Sequence, residues 1–241
     1  MSFKREKLSI MKFVNSNNHI ILPVETNAGM KNALLDTGAG MTVCLDSQIT
    51  ELKLGDAVVR PWHIGLDYQA VNELVGMEIA IILGTDQFAD KDILIDFATD
   101  EISFNAPKPQ GGAVVDIDTS LMGLPVLRMT VNGHSLRAAF DAGAKYPFVA
   151  SNTIAELNLG NVIGQFEDYN PTLGNFTPSL YKCNLSLGTC EFADTQIAAS
   201  PAYDKAAARV NVQAFLGISP FAYAGARLWL SYPTQQMVIV K

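Results

Sequence analysis

The chain has 241 residues, 49% hydrophobic and 17% charged, and carries a formal net charge of −7 at pH 7. That length and apolar content allow one large or two ordinary packed domains and exclude a disordered chain. The negative charge, with Lys4-Arg5-Glu6-Lys7 the only basic run, excludes nucleic acid as a partner, because nothing would neutralise its phosphates.

Short alternating segments from Lys7 to Val14 and from His19 to Val24, separated by Asn15-Ser16-Asn17-Asn18, predict two strands and a turn. A hairpin at 25–30 then leads into Ala33-Leu34-Leu35-Asp36-Thr37-Gly38-Ala39-Gly40. Here a hydrophobic run ends on a carboxylate followed by Gly, so a buried strand must stop in a tight turn that presents Asp36. Leu54-Gly55-Asp56-Ala57 reads as a further hairpin, and strands are expected near Trp62 to Leu66 and Glu78 to Leu83. Thr85 is placed to cap a single helical turn through Phe88. Ile93 to Phe97 and Glu101 to Phe104 close this half as a strand pair.

Ala106-Pro107-Lys108-Pro109-Gln110-Gly111-Gly112 is rich in Pro and Gly and predicts a boundary, with domains at 1–106 and 113–241 and a linker at 107–112. The second half replays the first. A strand from Leu121 to Val131 and an Asn132-Gly133 hairpin lead into Ala138-Ala139-Phe140-Asp141-Ala142-Gly143-Ala144. Ser151 to Leu157 predicts a short helix with Thr153 and Glu156 as a capping box, stopped at Gly160. Further strands, Ala214-Phe215-Leu216-Gly217 and a terminal hairpin follow. An internal repeat is the strongest organisational signal in the chain.

Two carboxylates on matching turns can meet at a pseudo-two-fold axis, where like charges a few ångströms apart hold one proton between them. Such a pair deprotonates water and protonates a carbonyl oxygen, as amide hydrolysis requires, with no metal and no cofactor. No Gly-x-Ser-x-Gly or His-Glu-x-x-His pattern competes with it. His19, His63 and His134 read as surface or turn residues, and Trp62, Phe97, Trp229 and Tyr232 as core and packing aromatics.

The chain resembles a retropepsin-like or pepsin-like aspartic protease, duplicated and fused into one polypeptide. Leu35-Asp36-Thr37-Gly38-Ala39 with the downstream Ile82-Leu83-Gly84 carries the resemblance in the first half, and Phe140-Asp141-Ala142-Gly143-Ala144 with Phe215-Leu216-Gly217 carries it in the second. It implies an all-β protein of two pseudo-symmetric, barrel-like lobes with a cleft between them, and an endopeptidase using Asp36 and Asp141. Thr37, Gly38, Ala142 and Gly143 would support the turns, and Ala39, Gly40, Ala144, Lys145, Tyr169 and Gly174 would line the path of a peptide or protein substrate. No dimer is needed, so a monomer is expected.

Three features depart from the family pattern. Ala142 stands where the family has Thr or Ser, which halves the hydroxyl bracing between the turns. Asp36 precedes Gly84 by 48 residues (84 − 36), whereas Asp141 precedes Gly217 by 76 (217 − 141). The first half is therefore short by about a substrate-covering flap and its neighbouring helix, and one flap, at 165–181, is expected in the second half. Lys145 occupies the place of Gly40; it would either favour ionised carboxylates and select acidic substrates or point away into solvent. A catalytically weak or inactive protease-like protein that binds a peptide or a partner is the alternative reading.

Met1 to Lys7 lacks the apolar core of a secretory signal, and the longest apolar run, Ile79 to Leu83, is too short to cross a bilayer. A cytoplasmic protein without membrane contact is expected, and Cys44, Cys183 and Cys190, with no Cys-x-x-Cys spacing, fit as reduced thiols.

Overall fold

A computed structural model describes residues 8–54, 57–170 and 174–241. It is built almost wholly from β-strands, and the repeat in the sequence is a repeat in the topology. In the first half, His19–Thr26 and Gly29–Leu35 form a hairpin, and Ile81–Leu83 lies parallel to the second of these strands and antiparallel to Val43–Cys44. In the second half, Pro125–Val131 and His134–Phe140 form the hairpin, and Ala214–Leu216 lies parallel to its second strand and antiparallel to Phe148–Val149.

Two-residue turns set the register of the second-half hairpin and of a further first-half pairing, Val14–Ser16 with His19–Thr26. Asn17 and Asn18, with φ of 49° and 59°, join Ser16 to His19, while Asn132 and Gly133, with φ of 47° and 86°, join Val131 to His134. Asn and Gly tolerate this left-handed backbone, which matches the twist of paired strands.

In the C-terminal lobe six strands close on themselves. Ser179–Leu187 and Cys190–Ala199 form a long hairpin whose outer edges pair with Pro125–Val131 and Phe148–Val149. The N-terminal lobe has short counterparts: Leu52–Leu54 pairs with His19–Thr26, Ala57–Val59 pairs with Leu52–Leu54, and Trp62–His63 pairs with Val43–Cys44. Only Arg60 and Pro61 separate the last two segments, and there the sheet stays open. Proline has no N–H to give a ladder. Residues 55 and 56, at the expected 54–57 hairpin, lie outside the described residues.

A six-stranded antiparallel sheet joins the lobes, in the order Ser9–Lys12, Glu101–Phe104, Asp92–Asp96, Arg227–Ser231, Gln236–Val240, Ala113–Thr119. Each lobe gives three strands, and the two lobes meet where Asp92–Asp96 pairs with Arg227–Ser231. Residues 107–112 connect Phe104 and Ala106 to this sheet's last strand.

Several local expectations shift. A helix, Tyr68–Val75, stands in the first half, where the short spacing suggested a missing one; Asp67 caps it by accepting from Gln69 N and Ala70 N, and Gly76 ends it with φ 78°. A matching helix, Pro201–Arg209, capped by Ser200, precedes Ala214–Leu216. Ser151–Thr153 is a 3₁₀ turn in which the Thr153 hydroxyl donates back to Ala150 O, not a capping box. The turn Thr85–Gln87 forms without a side-chain cap. Trp62 is 62% exposed, and His19 is buried at 1% exposure. Phe97, Trp229 and Tyr232 are buried, as are all three cysteines, which are unpaired. Among the described residues no helix is long and apolar enough to cross a membrane.

Candidate active site

Each aspartate sits at the end of a strand that another strand holds from beside. Leu35 is in register with Leu83, and Asp36 N donates to Leu83 O at 3.0 Å; Phe140 is in register with Leu216, and Asp141 N donates to Leu216 O at 3.0 Å. Beyond them, Thr85 N donates to Ala39 O and Ile218 N donates to Ala144 O. The glycines between make this approach possible. A Cβ on Gly84 would stand 2.4 Å from the Met41 backbone, and one on Gly217 would stand 2.3 Å from Tyr146 O. This is the physical reason for a hydrophobic-hydrophobic-Gly pattern downstream of each aspartate.

The two turns face each other reciprocally. A Cβ on Gly38 would lie 2.5 Å from Asp141 Cγ, and one on Gly143 would lie 2.6 Å from Asp36 Cγ. The carboxyls are therefore seated over each other's glycine, within hydrogen-bonding reach of one another. Gly38 N and Ala39 N donate to Asp36 Oδ1 at 2.8 and 3.1 Å, whereas Asp141 Oδ1 accepts from Gly143 N alone at 3.0 Å.

Burial raises the Asp36 carboxyl above its usual range, offset by those two amides and by Asp141. Burial, followed by the Asp36 charge, raises Asp141 well above that range. A charge is better held where two N–H groups point at it than where one does. Amide support thus favours the charge on Asp36 and the proton on Asp141.

One hydroxyl braces the turns. Thr37 Oγ1 donates to Phe140 O at 2.8 Å and accepts from Ala142 N at 2.9 Å, across the lobe boundary. Ala142, fully buried, has no hydroxyl to return the pair to Leu35 O and Thr37 N.

Of the residues proposed to touch substrate, Ala39 and Ala144 continue the two turns, with Ala144 buried. Gly40 is close under the loop that follows Ser120: a Cβ there would meet Met122 O at 2.6 Å. Lys145 lines a groove of about 430 Å³ on the C-terminal-lobe side, together with His19, Asp168 and Tyr169. It does not point away into solvent.

The region expected to form a flap contains a hairpin of Asp168–Asn170 and Gly174–Phe176. Gly174, at φ 77°, returns the chain, and the tip at 171–173 lies outside the described residues. Phe166 and Phe176 root the hairpin on Tyr146, Phe148 and Tyr203, while Tyr169 reaches over to the N-terminal lobe and packs on Ile21, Leu34, Val71, Val75 and Ile79. Val71 and Val75 belong to the first-half helix, so that helix meets the hairpin from across the cleft.

Two groups near the dyad are not singled out by the sequence reading. Burial raises the Asp168 carboxyl to about 7, against the pull of Tyr169 N, which donates to it at 2.8 Å, and of Lys145. Tyr203, stacked on Phe148 with ring centroids 3.8 Å apart, is raised well above the usual phenol range by burial and by the charges of Asp168, Asp141 and Asp36. A single Asp or Tyr carries no sequence signal of such placement. Among the described residues no group of three or more His, Cys, Asp and Glu could hold a metal ion.

This two-lobed fold, with a paired-aspartate cleft, is the fold of the aspartic proteinases. The aspartic proteinase from Irpex lacteus has a similar structure, with a TM-score of 0.61 and 11% identity over 98% of this chain and 97% of that one. Basic 7S globulin from soybean is also similar, with a TM-score of 0.53 and 8% identity over 97% and 95% of the two chains. At such identities the likeness is one of fold. No family matches the chain by sequence, and no curated protein does.

Proposed function

We propose that the chain is an aspartic endopeptidase acting as a monomer in the cytoplasm, with Asp36 and Asp141 as its catalytic pair. The observation that carries this is the reciprocal seating of each carboxyl over the glycine of the opposite turn, combined with unequal amide support that separates one charge from one proton. An extended peptide lies across the cleft beneath the hairpin of Asp168–Asn170 and Gly174–Phe176. Ionised Asp36 takes a proton from a water held between the carboxyls, and Asp141 gives its proton to the scissile carbonyl oxygen as the water oxygen attacks the carbon. In the resulting tetrahedral adduct, Asp141 recovers a proton from one hydroxyl while Asp36 passes its proton to the departing amine. The C–N bond breaks and the dyad returns to its starting state.

A peptide-binding protein without turnover is the second reading. Ala142 favours it, because half of the hydroxyl brace is gone, and the soybean neighbour is named as a globulin and not as a proteinase. Turnover of a diverse quenched peptide pool between about pH 3 and 8 separates the two. The endopeptidase reading expects cleavage that Asp36→Asn and Asp141→Asn each reduce by at least about a thousandfold, with activity falling on the alkaline side as Asp141 loses its proton. Cleavage that survives either substitution, or none at any pH, overturns it.

A further inference from the structure

The cleft is not symmetric in charge, and the asymmetry lies within a few residues of the dyad. On the N-terminal side, the position after Asp36-Thr37-Gly38-Ala39 is Gly40, closed over by Met122 O. On the C-terminal side the same position is Lys145, which lines the 430 Å³ groove between the first-half helix and the cleft hairpin. Lys145 is half-buried, and its Nζ stands 5.3 Å from the centre of the Tyr146 ring. Among the described residues its ammonium makes no hydrogen bond and no ion pair. A partly desolvated ammonium without a counter-ion leaves an interaction unmade, which an incoming anion supplies.

We infer that the Lys145 groove is a specificity subsite that takes an acidic side chain of the peptide, Asp or Glu, a few residues from the scissile bond. This rests on the endopeptidase reading and names the substrate class of that same site.

The other ionisable groups facing the groove come from every element around it. His19, on the first-lobe hairpin, is lowered to about 4 by burial, so it is neutral in working conditions. Glu73, on the helix, and Glu167, beside the cleft hairpin, stand at the exposed rim. Each has a partner of its own, Gln69 Nε2 at 3.1 Å and Thr177 Oγ1 at 3.1 Å, and solvent screens both. Asp168 is the one anion at depth. Raised to about 7, it is protonated below that pH, where it can donate a hydrogen bond to a substrate carboxylate and leaves Lys145 as the sole charge at the floor. Above about 7 it ionises and occupies the ammonium itself. The acidic preference therefore holds between the titration of a substrate Glu and that of Asp168, and fades at higher pH.

The test is cleavage-site profiling of a mixed peptide library by the native chain at pH 5.5 and 8.0, with kinetics on matched Glu, Gln and Lys peptides. At pH 5.5 one fixed position near the cut is enriched in Glu and Asp, the Glu peptide exceeds its Gln twin by about tenfold in kcat/KM, and the difference lies in KM. Lys145→Met removes that advantage, bringing Glu and Gln peptides to the same kcat/KM, and Lys145→Glu transfers it to Lys peptides. Thermal unfolding of both variants controls for folding. Cleavage with no acidic enrichment, or enrichment that persists in Lys145→Met, overturns the subsite while the endopeptidase stands. Where no peptide is cleaved, anisotropy of the same labelled peptides on the native chain is the second readout. Glu peptides binding at least about fivefold tighter than Gln peptides, with the gap closed by Lys145→Met, uphold the subsite without catalysis; equal binding, or none, refutes it.

Discussion

The two lobes are alike where the aspartates are positioned and differ in what surrounds that frame. Both present a carboxylate from a strand held between a parallel and an antiparallel neighbour, with the same N–H to C=O bonds on either side of the turn. Around that frame the C-terminal lobe closes its barrel, supplies the cleft hairpin and carries a lysine in the groove. The N-terminal lobe leaves its sheet open, supplies the bracing hydroxyl and has glycine in place of the lysine. A shared proton needs two carboxyls in tight register, so the frame is constrained on both sides. A peptide has direction, so what surrounds the frame need not be equal.

The bracing hydroxyl is the place where the lobes differ by a single oxygen, and its removal gives the largest stability effect expected here. Thr37→Val keeps the shape but orphans Phe140 O and Ala142 N, both buried, at about 1–3 kcal/mol for each unpaired group. Chemical denaturation then gives a loss of about 2–4 kcal/mol, and turnover falls as the dyad loosens. Ala142→Ser restores the reciprocal pair to Leu35 O and Thr37 N, with a gain of about 1 kcal/mol. A Thr37→Val loss below about 1 kcal/mol shows that the strands alone hold the turns together.

A smaller effect separates the hairpin of the C-terminal lobe from the lobe it covers. Asp168 is raised from 3.8 to about 7 by burial, so between these values the folded chain holds a proton that the unfolded chain has released. Its contribution therefore declines as pH rises from about 4 and levels off above about 7. Asp168→Asn keeps an acceptor for Tyr169 N and has no charge to lose. Thermal unfolding at pH 8 is expected to show the variant about 1–2 kcal/mol more stable than the native chain, with the two nearly equal at pH 4. A gain of the same size at both pH values assigns the effect to packing.

The frame was legible in the sequence because close backbone approach admits only glycine: Gly38, Gly84, Gly143 and Gly217 each leave room that a Cβ would fill. The cleft hairpin was legible as an insertion between Asp141 and Gly217. Two of the helices carry a weak signal in the sequence, although their punctuation is present. Asp67 and Gly76 bracket Tyr68–Val75, and Ser200-Pro201 opens Pro201–Arg209. With only Val71 and Val75 buried in the first, and Tyr203 and Ala207 in the second, the apolar stripe is too thin to outweigh neighbouring strand signals. Trp62 is exposed and His19 buried, against expectation, for another reason. Their exposure depends on what packs against them in the fold, and no local pattern records that.

Barrel closure gives a difference that is local, and it can be read amide by amide. Ser179–Leu187 and Cys190–Ala199 pair along nearly their whole length, whereas Leu52–Leu54 and Ala57–Val59 share three paired positions before Arg60-Pro61 breaks the run. Short strands with a free edge open locally at lower cost than long strands paired on both sides. Native-state hydrogen exchange should give Lys53 and Val58 opening free energies about 1–3 kcal/mol below those of Tyr181 and Ile197. Pro61→Val returns an N–H to the break. If the open edge is due to the missing donor, exchange at Val59 and Trp62 slows in that variant; if their rates do not change, strand length alone keeps the lobe open.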